Sequence, residues 1–175
     1  MIRAAATLYA TRGMAATSFS DVVAKSGAPR GSIYHHFPDG KTQLTDDALR
    51  YISERVLAHI RAGTERTPKG VLARFVELWR GIAVASHGTS GCAVAAVAID
   101  SGPDDADLAA SVREIFRSWI AQLADRLHAT GLPAARARSI AVTALAAMEG
   151  ALILSRAEGG DDPFDGITKE LMRLV

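Results

Sequence analysis

Glycine and proline break this chain of 175 residues at intervals that leave room for helices and for little else. The breaks fall at Gly13, at Gly27 with Pro29, at Pro38 with Gly40, at Pro68, over residues 88–91, at Gly131 with Pro133, and over residues 159–163. Between them lie windows rich in Ala, Leu, Arg and Glu, which are good helix formers, and the apolar/polar alternation of half-buried strands is hard to find. The fold class read from this pattern is all-α, with about nine helices.

The first four windows are short, then long. Ile2, Ala6 and Tyr9 recur at helical spacing over residues 2–12, with Gly13 as the stop. Thr17 or Ser18 caps a second helix carrying Phe19, Val22 and Val23, which ends at Ser26 and Gly27. Pro29 suits the first turn of a third helix that reaches only His35 or His36. Thr42 caps a long fourth helix running to about residue 62. Helices are expected further on at about 68–86, in "CAVAAVAID" after the 88–91 loop, from Asp104 and Asp105 to about residue 127, at about 133–158, and after "GGDDP".

Forty-nine per cent apolar and 22% charged residues allow a sizeable core, and no run approaches the roughly 20 uninterrupted apolar residues of a membrane span. The single cysteine, Cys92, excludes an internal disulfide framework and a Cys-rich zinc site. A cytoplasmic protein with no membrane partner is the expectation. The first 41 residues hold five Lys/Arg and two acids, whereas the remainder holds fifteen and seventeen. That asymmetry fits nucleic-acid contact at one end only.

Residues 18–26 and 29–36 form two short helices around a glycine turn, with a third helix able to pack across both. This is a helix-turn-helix arrangement, whose second helix lies in the DNA major groove. Phe19, Val22, Val23, Ile33 and Phe37 fix the crossing, leaving Arg30, Ser32, Tyr34, His35 and His36 on the outer face. Donors and flat rings of this kind reach phosphates and base edges.

The stretch "TSFSDVVAKSGAPRGSIYHHFPDGKTQL", residues 17–44, resembles the DNA-binding domain of the TetR family of transcriptional regulators. Its "HHFPDGK" variant is similar to the LmrA/YxaF-like branch. The resemblance implies phosphate contacts from Thr17 or Ser18, Tyr34 and Lys41, and groove-facing roles for Ala28, Arg30, Gly31 and His35. It also implies a dimer bundle from the last two helices and a small-molecule effector held among the others. The expected division is a DNA-binding domain over 1–41 and a ligand-binding and dimerisation domain over 42–175.

A recognition helix this short contacts few base pairs, so useful specificity calls for a homodimer on a palindromic double-stranded operator. The eighth helix carries small and apolar residues at Ala146, Gly150, Ile153 and Ala157, and the ninth adds Ile167 and Leu171. Phe75, Trp79, Phe116, Trp119 and Met148 are candidates to line an apolar cavity for an effector, with Glu149 as a polar handle or as half of an ion pair.

Other readings of the same residues stand beside these. The aromatics could be plain core, and Cys92 a redox sensor or a buried inert thiol. His35 and His36 as metal ligands would need a second pair nearby, and neighbours on a helix point about 100° apart. No Gly-rich phosphate loop, nucleophile elbow or ligand-spaced His/Cys/carboxylate set is present, so no enzyme, metal or cofactor is expected. A helical adaptor without DNA is the alternative class.

Overall fold

Helices form in every window that the glycines and prolines leave open. A computed structural model describes residues 1–175 apart from residues 30 and 104, and the described residues hold nine α-helices and no strand. They are α1 (Ile2–Arg12), α2 (Phe19–Ser26), α3 (Ser32–His36), α4 (Gly40–Arg61), α5 (Pro68–Ala85), α6 (Ala93–Asp100), α7 (Ala106–His128), α8 (Ala134–Glu158) and α9 (Pro163–Leu171). The chain is all-α, as its breakers imply.

Two helix starts differ from expectation. Pro29 heads a turn ahead of α3, its carbonyl accepting from both the Ser32 N–H at 3.0 Å and the Ser32 hydroxyl at 2.7 Å. At α4 the capping expected of Thr42 falls to Gln43, whose Oε1 accepts from the Asp39 N–H at 3.1 Å, while Thr42 lies exposed within the helix. Asp104 lies outside the described residues; Asp105 precedes α7, and its Oδ2 accepts from the Gly102 N–H at 2.9 Å.

The chain groups into two compact units, one of Met1–Glu54 with Cys92–Ile115 and the other of Arg55–Gly91 with Phe116–Val175. This grouping cuts across a division at 41/42. The physical reason lies in α1 and α6, which pack together through small faces, Ala4, Ala5 and Ala6 on one and Ala93, Val94 and Val97 on the other. Small side chains let two helices approach closely, so α6, together with the start of α7, joins the N-terminal helices.

In the first unit, Val22, Val23, Ile33, Phe37, Leu44 and Leu49 make the core beneath the helix pair α2–α3. Buried Tyr9 keeps its hydroxyl satisfied on the Thr45 hydroxyl at 2.9 Å, and Thr45 in turn donates to the Lys41 carbonyl at 2.8 Å. Burial pushes the Tyr9 phenol above its ordinary pKa. Gly27 ends α2 in the left-handed conformation (φ +69°), and its N–H closes on the Val23 carbonyl.

In the second unit α8 packs against α5 and α9. One side of α8, including Ile140, Ala144, Met148, Ala151 and Leu152, is buried. The other side is apolar too, with Val142, Ala146, Ile153 and Leu154 exposed. Among the described residues α8 alone has the length and composition to cross a membrane. Arg80 of α5 fastens α9 by pairing with Asp161 and Asp165 and by lying over the Phe164 ring at 5.8 Å.

The turn itself is testable. A Cβ at Gly27 would meet nothing within 4 Å, so Gly27→Ala probes backbone conformation alone. The expected cost is about 1–2 kcal/mol, read as a lower urea midpoint with an unchanged slope.

Candidate nucleic-acid interface

Ser18 caps α2 through a reciprocal pair of bonds. Its hydroxyl accepts from the Asp21 N–H at 3.2 Å and donates to Asp21 Oδ2 at 2.6 Å, while the Ser18 N–H reaches the same carboxylate at 2.8 Å. Arg12 adds a salt bridge to Asp21 at 2.9 Å. The Ser18 hydroxyl first, then the Ser18 N–H and Arg12, lower the Asp21 pKa to about 2. This Arg12–Asp21–Ser18 chain escaped the sequence reading, although Ser18 with an acid three residues on is a capping-box spacing.

Thr17 behaves differently from its neighbour. It is buried, and its hydroxyl donates to the Gly13 carbonyl at 2.7 Å. Of the two residues expected to meet a phosphate, Ser18 is the exposed one, with its hydroxyl proton and N–H both engaged by Asp21, whereas Thr17 fills the turn between α1 and α2.

On α3, Ile33 points inward and is 1% exposed, while Tyr34 is 70% exposed. The Phe19 ring meets Tyr34 edge-on, with centroids 5.8 Å apart at 80°, so α2 braces the Tyr34 ring. His35 and His36 are both exposed, with their rings 5.5 Å apart. Ala28 is half-buried, its N–H donating to the Ser26 hydroxyl at 3.3 Å. Arg30, expected on the groove face, lies outside the described residues.

Gly31 is exposed with φ −71°, and a Cβ there would meet nothing within 4 Å. Neither backbone geometry nor packing among the described residues calls for glycine at this position. Lys41 is half-buried and its ammonium donates to the Met14 carbonyl at 2.8 Å. An ammonium has three donors, so two remain for a phosphate.

The second unit holds the residues expected around an effector. Phe75, Trp79, Trp119 and Met148 are buried, and Phe116 and Glu149 are partly so. Their rings form an edge-to-face chain, Phe75–Trp79 at 6.0 Å, Trp79–Trp119 at 5.8 Å and Trp119–Phe116 at 5.7 Å. A small cleft of about 10 Å³, room for about one water, lies beside Phe75, lined also by His59, Ile60, Glu65, Val71, Arg74, Leu123 and Arg126. Glu65 lies 3.8 Å from Arg74 and 3.7 Å from Arg126. Phe75 is the one expected effector residue in this lining; the polar members were missed, since no local pattern announces that α5 and α7 bring their arginines together.

The residues expected at a dimer interface divide. Ala146, Ile153 and Ala157 are exposed on α8, Gly150 and Ile167 are partly exposed, and a Cβ at Gly150 would enter open space. Leu171, by contrast, is 3% exposed within its own unit. Its period placed it on the apolar face of α9, and that face is already covered by the chain itself. Cys92 is buried at the start of α6, where its sulfur accepts from the Ala95 N–H.

An outward-facing five-residue helix, held across a capped partner by a glycine turn, defines a helix-turn-helix DNA-binding protein. The chain belongs to the TetR family: residues 1–48 match the model of bacterial regulatory proteins of the tetR family, and residues 68–170 match the C-terminal domain of LmrA/YxaF-like transcriptional regulators. An uncharacterized HTH-type transcriptional regulator of Mycobacterium tuberculosis is 36% identical over 183 residues, spanning 100% of this chain and 92% of the relative. The HTH-type transcriptional regulator LmrA of Bacillus subtilis is 28% identical over 159 residues, 89% of this chain and 84% of its own. Among solved structures, a TetR regulator of Legionella pneumophila superposes with a TM-score of 0.87 over 99% of this chain and 94% of its own, at 21% identity. The TetR family regulator CifR, solved with double-strand operator DNA, superposes with a TM-score of 0.78 over 98% of this chain and 93% of its own, at 12% identity. The protein is a DNA-binding transcriptional regulator and not an enzyme.

The cap makes a pH prediction. A carboxyl whose folded pKa lies at about 2, below its ordinary 3.8, contributes stability that is fully present above the ordinary value and is lost as pH falls toward the folded one. Urea unfolding of the wild type is expected to lose this contribution on acidification through that window. In Asp21→Asn the same decline is expected to be shallower, and identical curves would remove the cap's role.

Proposed function

We propose that the protein is a homodimeric repressor that reads a palindromic operator and is released by a small-molecule effector, acting in the cytoplasm. The observation that carries the DNA reading is the outer face of α2 and α3. Ser18, Tyr34 and His35 are exposed there, and Gly31 is a glycine that nothing among the described residues requires. We assign phosphate contacts to Ser18, Tyr34 and Lys41 and close groove approach to Ala28, Arg30, Gly31 and His35. A dimer seated on such a site occludes it, which favours repression.

The exposed stripe of Val142, Ala146, Ile153 and Ala157 supports the dimer. A helix apolar on all sides needs cover on all sides, and a second copy supplies it with a two-fold interface. Gly150 lies within the stripe and permits close approach, with Ile167 at its edge.

For the effector, we place its entry at the small cleft beside Phe75, which must widen on binding; there Phe75 and Leu123 meet an apolar part, and Arg74 and Arg126, which face Glu65 in the free chain, meet an acidic group. Trp79 meets the Phe75 ring, with Trp119 and Phe116 next along the chain of rings, and we keep Met148 and Glu149 as further candidate contacts. Among the described residues the buried Trp79 Nε1 has no hydrogen-bond partner, and an unmet donor costs about 1–3 kcal/mol. An acceptor on the effector would relieve that cost.

Selecting bound fragments from genomic DNA tests the reading. The fragments are expected to share a palindrome whose half-sites lie about one helical turn apart, with affinity falling steeply as salt rises. Fragments without two-fold symmetry, or salt-independent binding, would contradict it. Because a side chain at Gly150 meets open space, Gly150→Leu is expected to fold normally, run as a monomer on sizing and lose operator affinity; a wild-type dimer would place the interface elsewhere.

A further inference from the structure

The turn between α1 and α2 is held from outside by two charged side chains, and one of them comes from far along the chain. Asp100, the last residue of α6, accepts the Ala15 N–H on Oδ2 at 2.9 Å. Lys41 donates to the carbonyl of Met14, the residue just before, at 2.8 Å. The turn also closes on itself, with the Thr17 hydroxyl on the Gly13 carbonyl and the Thr17 N–H on the Met14 carbonyl. Three residues after Ala15 stands Ser18, the N-cap of α2.

Gly13 lies directly against this carboxylate. Its φ is +87°, and a Cβ placed on it would come within 2.8 Å of Asp100 Oδ2. A side chain at Gly13 would push the Asp100 carboxylate off its place, so glycine here leaves that carboxylate room to rest against the turn. A carboxylate accepting a backbone N–H is among the stronger hydrogen bonds available to a loop. Asp100 and its α6 lie in the stretch matched to the C-terminal domain of the family, not in the stretch matched to the DNA-binding domain.

We propose that Asp100 is a positioning residue for DNA binding: seated against Gly13 and bonded to Ala15, it fixes the turn that presents Ser18 and Lys41 to the phosphate backbone. This rests on the assignment of Ser18 and Lys41 as phosphate contacts. The DNA-reading head is then completed by a residue 85 positions downstream of the turn it holds. Without that carboxylate the Ala15 N–H is released, and the entry to α2 and the Lys41 anchor point at Met14 are no longer fixed together.

The test measures affinity for the selected duplex, its salt dependence and thermal unfolding for Asp100→Ala, Asp100→Asn and Lys41→Met. Asp100→Ala is expected to lose about tenfold in affinity and to bind with a shallower salt slope, since a phosphate contact is lost, while helix content is unchanged. Asp100→Asn, which retains an acceptor for the Ala15 N–H, is expected to recover most of the affinity and the slope. Wild-type binding by Asp100→Ala, or a loss in Asp100→Ala with an unchanged slope and no recovery in Asp100→Asn, would overturn the proposal. If Asp100→Ala is unaffected while Lys41→Met weakens binding and flattens the slope, the Asp100 proposal alone fails. If Lys41→Met binds as wild type, the phosphate assignment fails and the proposal built on it falls too.

Discussion

Ile33 and Phe37, both almost fully buried, hold in place a helix of five residues. A helix that short has no stability of its own, because nucleating the first turn fixes several backbone angles for very few hydrogen bonds. Its existence is a consequence of packing against the core of Val22, Val23, Leu44 and Leu49. The same packing turns the opposite side of α3 outward, so Tyr34 and His35 are exposed for the reason that Ile33 is not. The face proposed to read DNA is therefore the far side of a core contact, and each further feature of the head serves to keep that contact in register. Gly27 turns the chain, Ser18 with Asp21 fixes the start of α2, and Tyr9 with Thr45 joins α1 to α4 without leaving a buried hydroxyl unsatisfied.

Small residues set a second theme. In the first unit, alanines on α1 and α6 let two helices come close, and Gly13 lets a carboxylate rest on the backbone. In the second, α8 is apolar on both sides: one is spent on α5 and α9, and the other, with Gly150 and Ala146 along it, is left open. Where large aromatics are used instead, at Phe75, Trp79, Trp119 and Phe116, they meet edge to face, an arrangement that suits the quadrupoles of the rings.

Much of this was legible in the amino-acid sequence because its signals are local. Glycine and proline marked the helix ends, and helical spacing marked the inner faces, so Ile33 inside and Tyr34 outside followed from neighbours within a turn or two. The helix-turn-helix was legible as well, through the spacing of Gly27, Gly31, Tyr34, Phe37 and Lys41. What escaped was decided by contacts between distant segments. Thr17 and Ser18 are equally good caps by composition, and only the packing of the turn buries one of them. Leu171 has the period of an interface residue, yet period does not say which neighbour covers a face. Asp100 beside Ala15, and Arg74 and Arg126 around Glu65, depend on which helices meet, and no local spacing encodes that.

The central claim is that α3 docks closely on DNA, and Gly31 isolates it. With φ −71° and open space where a Cβ would lie, Gly31 has no conformational or packing role among the described residues. The decisive measurement is the affinity of Gly31→Leu for the selected duplex beside its urea midpoint. The account predicts an unfolding free energy within about 0.5 kcal/mol of wild type together with a loss of duplex affinity of at least about a hundredfold. Wild-type affinity in a normally folded Gly31→Leu would contradict it.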